Sequence, residues 1–162
     1  MSRLFVAVWP AADVVETLVH LSRVDRPGVR WLGPEHWHVT LRFLGEADEA
    51  VAAARLDELV AAPCSARLGA PIGRLGRTAL IVPVSGLDQL AAMVAQVLVG
   101  VGKEEERPFF GHLTLARLKN VPACALVEGS VQGRWDVDRV ALVRSERTAE
   151  GSRYETVREA ML

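Results

Sequence analysis

Cysteine is scarce in this 162-residue chain, which carries only Cys64 and Cys124. The two form no Cys-x-x-Cys and no metal-like spacing, so a disulfide framework and a cysteine-based zinc module are excluded, and a reduced thiol pair is expected. Net positive charge is lacking as well: the formal charge is −1. No broad surface for wrapping nucleic acid is therefore available, and any phosphate binding must be local. Lysine is nearly absent, since only Lys103 and Lys119 stand among 19 cations. Arginine does offer a planar fork to phosphates, but a bias running through the whole chain singles out no residue. No uncharged apolar stretch reaches the ~18 residues of a membrane span, and the start has no long apolar leader segment. A cytoplasmic protein without membrane contact is expected.

What remains is an ordinary globular composition, 50% hydrophobic and 24% charged. Residues 1–162 are expected to form a single domain, or two small lobes sharing a cleft. Arg3–Trp9 is β-branched and aromatic, as a buried strand would be, and Pro10 ends it. The apolar spacing of Val14, Val15, Leu18, Val19 and Leu21 predicts a helix over Ala11–Val24. Val29–Leu32 and His36–Leu44 are predicted strands. Glu46–Ala62 is a predicted helix, acidic in its first turn, where the helix dipole favours negative charge. Ala66–Ile72 and Thr78–Val84 are predicted strands around a glycine-rich turn, and Leu87–Val101 a helix. Phe109–Leu118 is a strand, Ala123–Glu128 a short helix after Pro122, and Trp135–Val143 and Arg153–Val157 a closing hairpin. The order of elements points to an α+β fold, with two antiparallel sheets, helices on their outer faces and a cleft between.

One short string occurs twice, each time in a predicted strand. His38-Val39-Thr40-Leu41 returns 74 residues later as His112-Leu113-Thr114-Leu115. Side chains alternate along a strand, so each His and its Thr share one face while Val39, Leu41, Leu113 and Leu115 point into a core. With four His and six Thr in the chain, two His-x-Thr pairs arise by chance about once in a hundred such compositions. A lone His-x-Thr carries no signal; the pair does. Two imidazoles titrating near neutrality can serve as one base and one acid, which is what cleavage of a phosphodiester needs. Two threonine hydroxyls can donate to the non-bridging oxygens of the phosphate. Such an arrangement requires neither metal nor cofactor. The bland alternative is a pair of half-buried strand histidines with satisfied hydrogen bonds.

The chain resembles the 2H phosphoesterase superfamily, in particular its bacterial RNA 2′,3′-cyclic phosphodiesterase branch, long called 2′-5′ RNA ligases. The resemblance rests on RLFVAVWP at the start, WHVTLRFLGE around His38, RPFFGHLTLARLK around His112 and LVRSERTAEGSRYE near the end. It implies two pseudo-symmetric lobes flanking a cleft, and metal-independent hydrolysis of a 2′,3′-cyclic phosphate at an RNA end to a 2′-phosphate. In reverse, such enzymes join RNA ends through a 2′-5′ linkage. Carried over by position, His38 and His112 take the acid and base roles and Thr40 and Thr114 hold the phosphate. A 2′-phosphate product makes the 3′-oxygen the leaving group, with His38 as its proton donor and His112 as the acceptor that activates water. The partner is an RNA end or nucleotide bearing a 2′,3′-cyclic phosphate, met by a monomer. The chain departs from the family pattern at Gly111, where proline is common, and at His36-Trp37.

Three further residues are candidates for substrate binding. Arg117, at +5 from His112, faces away from the motif if the strand is regular, so only its length or a strand bend brings it to the cleft. The resemblance places it on phosphate or nucleotide; the alternative is a plain surface arginine. Phe43, at +5 from His38, is either a base-stacking platform or a core aromatic. Arg42, at +4, shares the His38 face by counting in twos. His36 with His38 and His112 also spells a metal-ligand set, but no carboxylate or cysteine stands at a supporting spacing and the threonines would have no part in it. His20 belongs on a helix surface. Two rival readings are a phosphodiesterase for a small cyclic nucleotide and a non-catalytic RNA- or nucleotide-binding module.

Overall fold

The computed structural model describes residues 1–69 and 71–162. Among these residues, twelve strands and three helices follow one another. They are β1 (Ser2–Val8), α1 (Ala12–Val19), β2 (Ser22–Arg23), β3 (Val29–Trp31), β4 (Val39–Ala47), α2 (Glu49–Leu56), β5 (Cys64–Leu68), β6 (Gly73–Leu75), β7 (Ala79–Ser85), α3 (Asp88–Val97), β8 (His112–Leu118), β9 (Val127–Glu128), β10 (Gly133–Val137), β11 (Arg139–Thr148) and β12 (Gly151–Met161). The main sheet runs β10-β5-β7-β8-β4-β1-β11-β12, with β3 added to β8 and β6 to β7, and its strand pairs are antiparallel. β2 and β9 form a separate ribbon.

Two half-sheets meet at one point. β1, β4, β11 and β12 make one lobe and β5, β7, β8 and β10 the other, and among the described residues their strands pair only where Val39 of β4 meets Leu113 of β8. The α+β, two-lobed architecture expected from the element order is the one observed, with the two sheets fused at that pair. Helices cover one face: α3 packs on β4, α2 on β11 and α1 on β10. Between helices and sheet lies the large core, which includes Leu4, Val6, Leu44, Leu87, Leu115 and Leu142. A small second cluster, Phe5, Ala7, Ala141 and Val143 with Trp9, Phe43 and Tyr154 against it, covers the opposite face of the first lobe. β1 alternates strictly between the two: Leu4, Val6 and Val8 enter the first core, Phe5 and Ala7 the second.

The helices are shorter than their apolar patterns. α2 starts where the Asp48 side chain accepts from the Val51 N–H at 3.0 Å, satisfying an amide that the first helical turn leaves free. Ala123–Glu128 is not helical: only Val127–Glu128 is regular, and it pairs with β2 as β9. Trp135–Val143 is two strands rather than one. Asp138 alone separates β10, which pairs with β5, from β11, which pairs with β1 and β12. The chain thereby crosses between lobes at one exposed charged residue, a change of sheet that apolar alternation does not register. His36 lies in a single 3-10 turn, Pro34–His36, rather than in a strand. The strand expected over Ala66–Ile72 ends at Leu68, and Ala70 lies outside the described residues.

Gly111 has a steric reason. The Val84 N–H donates to the Gly111 carbonyl at 2.8 Å, and a Cβ at position 111 would stand 2.3 Å from the Val84 carbonyl oxygen. β7 and the approach to β8 are too close there for any side chain to fit without a backbone shift.

Candidate active site

The antiparallel pair Val39–Leu113 is the centre of the site. His38 and Thr40 flank Val39, and His112 and Thr114 flank Leu113, so alternation turns all four away from the buried pair. Val39 and Leu113 are fully buried beneath, while His38, Thr40, His112 and Thr114 line one cleft of about 130 Å³. Strand alternation thus delivers two imidazoles and two hydroxyls to a common face, as the repeated string requires. Leu32, His36, Arg117 and Tyr154 also line this cleft.

Arg117 reaches the cleft through a bulge. Leu80 pairs with Ala116 and Ile81 with Thr114, so Leu115 is an extra residue on β8. A bulge of this kind reverses the facing of everything beyond it: Leu115 and Ala116 are both buried and Arg117 turns to the cleft side. β4 repeats the device at the equivalent position. Val6 pairs with Arg42 and Ala7 with Thr40, leaving Leu41 as the extra residue. Beyond it Phe43 faces the small cluster beside Phe5, and the Arg3 guanidinium lies 5.0 Å from its ring centroid. Phe43 is therefore half-buried against that cluster, under a cation–π partner, and is not among the residues that line the cleft.

The same bulge corrects the expectation for Arg42. Counting in twos placed it on the His38 face, but the extra residue turns it to the helix side. There it is 5% exposed, and its Nη1 donates to the Ala95 carbonyl of α3 at 3.3 Å.

The two histidines have unlike surroundings. His38 is enclosed by aromatic rings: Phe5 stacks on it at 4.8 Å, and Tyr154 and Trp9 meet it edge-on at 5.1 and 5.3 Å. Burial pushes its pKa down from 6.5 to about 4, helped by the nearby His36, Arg117 and His112. The His36 backbone works against that shift without giving Nδ1 a hydrogen bond of full geometry. His112 stands nearer solvent, with the Phe110 ring stacked 5.8 Å away. Its Nδ1 lies 2.7 Å from the Phe110 carbonyl. A carbonyl only accepts, so the proton sits on Nδ1 and, in the neutral ring, Nε2 presents a lone pair.

His36 is a neighbour in the cleft wall rather than a free ligand. Its Nε2 donates to the Ser152 carbonyl at 2.7 Å and its Nδ1 lies 3.1 Å from Glu35 Oε1. Among the described residues no group of three or more His, Cys, Asp or Glu is placed to hold a metal ion. The His36–Ser152 bond ties the β4 approach to β12 and sets Tyr154 against both His36 and His38. Tyr154 is the residue that sequence reasoning missed. Its stretch, LVRSERTAEGSRYE, stood out as a closing hairpin, but nothing local assigned that tyrosine to a cleft built 116 positions earlier. No helix among the described residues is long and apolar enough to cross a membrane.

Two antiparallel lobes meeting at a cleft, with one His-x-Thr strand from each, define the layout of a two-histidine phosphoesterase. The family model of the 2′-5′ RNA ligase superfamily matches residues 9–149, and the chain belongs to that family. It is 31% identical to an RNA 2′,3′-cyclic phosphodiesterase of Thermus thermophilus, over 94% of this chain and 86% of the relative. It is 33% identical to one of Aeropyrum pernix, over 77% and 81% respectively. Among solved structures, a phosphoesterase superposes with a TM-score of 0.83 at 23% identity, covering 99% of this chain and 98% of that one. E. coli LigT in complex with 3′-AMP superposes with a TM-score of 0.82 at 23% identity and the same coverage. These structural likenesses establish the shared fold.

Proposed function

We propose that this protein is a cytoplasmic, monomeric RNA 2′,3′-cyclic phosphodiesterase, one domain over residues 1–162, which opens the cyclic phosphate at an RNA end to a 2′-phosphate. The observation that carries the reading is the register at Val39–Leu113, which sets a His-x-Thr pair from each lobe on one cleft face. The curated relatives act, by their names, on RNA 2′,3′-cyclic phosphates. His112 Nε2, with its proton already placed on Nδ1, takes a proton from the attacking water. His38 gives one to the departing 3′-oxygen. Thr40, Thr114 and Arg117 bind the non-bridging oxygens, on which charge accumulates. In the free protein His38 is neutral at pH 7; the bound phosphodiester anion must raise its pKa before it can donate. With the 5′-hydroxyl of a second RNA in place of water as the attacking group, the P–O3′ bond breaks in the same way, the 3′-oxygen takes the proton from His38, and the two ends are joined in a 2′-5′ linkage.

The test is product identity. An RNA ending in a 2′,3′-cyclic phosphate is incubated with the protein in EDTA, and the product is read by phosphorus NMR. A 2′-phosphate is expected; a 3′-phosphate product or an unchanged cyclic end would overturn the reading.

A further inference from the structure

β3 brings a second arginine to the cleft side, one strand beyond Arg117. In its pairing with β8, Val29 stands opposite Leu118, Arg30 opposite Arg117 and Trp31 opposite Ala116. Leu118 and Ala116 are buried in the large core, and Val29 and Trp31 pack against it. Alternation therefore turns Arg30 and Arg117 together to the other face, where Arg117 lines the cleft. Arg30 stands outside that lining and reaches towards the opposite lobe. A Cβ at position 151 would lie 3.1 Å from Arg30 Nη1, so the guanidinium rests against the turn that joins β11 to β12. The same turn leads into Ser152, whose carbonyl holds His36 in the cleft wall. Arg30 is thus a residue of the cleft rim.

Like charges on directly paired residues repel, and this pair is not neutralised within the chain. Among the described residues neither Arg30 nor Arg117 takes part in an ion pair. Glu35 is bonded to His36, and Glu150, one residue from Gly151, reaches neither guanidinium. Arg144 shows the contrast, since Glu49, Glu146 and Glu155 all surround it. Arg30 and Arg117 are both exposed, so water and salt screen much of their repulsion. What remains is a positive rim that the fold itself does not use.

We propose that Arg30 binds a second phosphate, the one on the 5′-oxygen of the nucleotide whose cyclic phosphate lies against Arg117. Two neighbouring cations that face one way fit two anions carried by one molecule. In an RNA strand the ribose bearing the 2′,3′-cyclic phosphate carries the next phosphate on its 5′-oxygen. The cleft, at about 130 Å³, takes the cyclic phosphate and leaves that next one outside, where the rim is. A guanidinium donates two parallel hydrogen bonds to a phosphate there. The substrate this favours is the end of an RNA chain; a nucleoside cyclic phosphate leaves Arg30 unused. The inference rests on the proposed cyclic phosphodiesterase reading, which supplies the first phosphate.

The experiment compares three substrates: adenosine 2′,3′-cyclic phosphate, its 5′-phosphorylated form, and the adenosine dinucleotide with the same cyclic end. At low salt the last two should exceed the first by about five- to tenfold in kcat/KM. Their log–log dependence on salt should also be steeper by about 0.7, as one further phosphate contact on a single strand requires. That slope is read on the parent protein and needs no variant. Arg30→Gln should bring the three substrates level and remove the extra slope. Level rates and equal slopes in the parent, or an advantage that survives Arg30→Gln, would overturn the proposal. So would a gain confined to the dinucleotide, which would follow the added nucleoside rather than the phosphate. If none of the three is hydrolysed, the functional reading fails, and calorimetry still decides the rim. Adenosine 2′,5′-bisphosphate should then bind the parent more tightly than 2′-AMP does, and Arg30→Gln should bind the two equally.

Discussion

Val39 and Leu113 pair across β4 and β8 as the sole strand bridge between the two half-sheets among the described residues, and neither side chain touches solvent. The pair sets the spacing of everything above it, because His38, Thr40, His112 and Thr114 are their immediate neighbours. Leu113→Ala removes buried apolar volume at a place with no flanking hydrogen-bond ladder to hold the strands together. A loss of about 2–5 kcal/mol in urea unfolding is expected. At a temperature where the variant stays folded, kcat should still fall, because the two histidines are no longer held at one distance. A destabilised variant with unchanged kcat would detach the bridge from the chemistry.

The two histidines should act as a unit. His38→Ala and His112→Ala are each expected to lower turnover of a 2′,3′-cyclic phosphate by about a hundred- to ten-thousand-fold. The double variant should be little worse than either single one, since proton removal and proton donation serve the same transition state. These rates are measured in EDTA. Losses that multiply in the double variant would mean that the residues work in separate steps.

Gly111 links sheet packing to the site. Any Cβ there meets the Val84 carbonyl, so Gly111→Ala must displace backbone immediately before His112. The expected cost is about 1–3 kcal/mol of stability, with a fall in kcat larger than the change in KM. Unaltered melting and turnover would show that β7 yields without moving His112.

The motif strands were legible because period-two alternation is local and both copies obey it: His38, Thr40, His112 and Thr114 line the cleft while Val39, Leu41, Leu113 and Leu115 are buried. The bulges at Leu41 and Leu115 were not legible, since no glycine or proline marks either. That single omission put Arg42 on the wrong face and left Arg117 without a route to the cleft. Of the two +5 positions, Arg117 is brought into the cleft lining, while Phe43 packs on the Phe5 cluster. Tyr154, Phe5 and Trp9 enclose His38 through pairings far apart in sequence, which no local pattern encodes.

That enclosure gives His38 its own pH signature. Its pKa falls from 6.5 in an unfolded chain to about 4 in the fold, so the unfolded state binds the extra proton first. Stability is therefore full above about pH 6.5 and declines as pH falls towards 4, by about 3 kcal/mol from this residue alone. His38→Gln should lose correspondingly less between pH 7 and pH 4 in parallel urea titrations. By NMR, the His38 ring of the free protein should stay neutral at pH 5.5 and titrate near 4. Tyr154→Ala admits water beside the ring and should move that titration upwards, whereas Tyr154→Phe should leave it in place. Saturation with 2′-AMP should also raise it, because the bound anion favours imidazolium. A ring that remains neutral at pH 6 in that complex would exchange the roles, making His38 the base and His112 the donor.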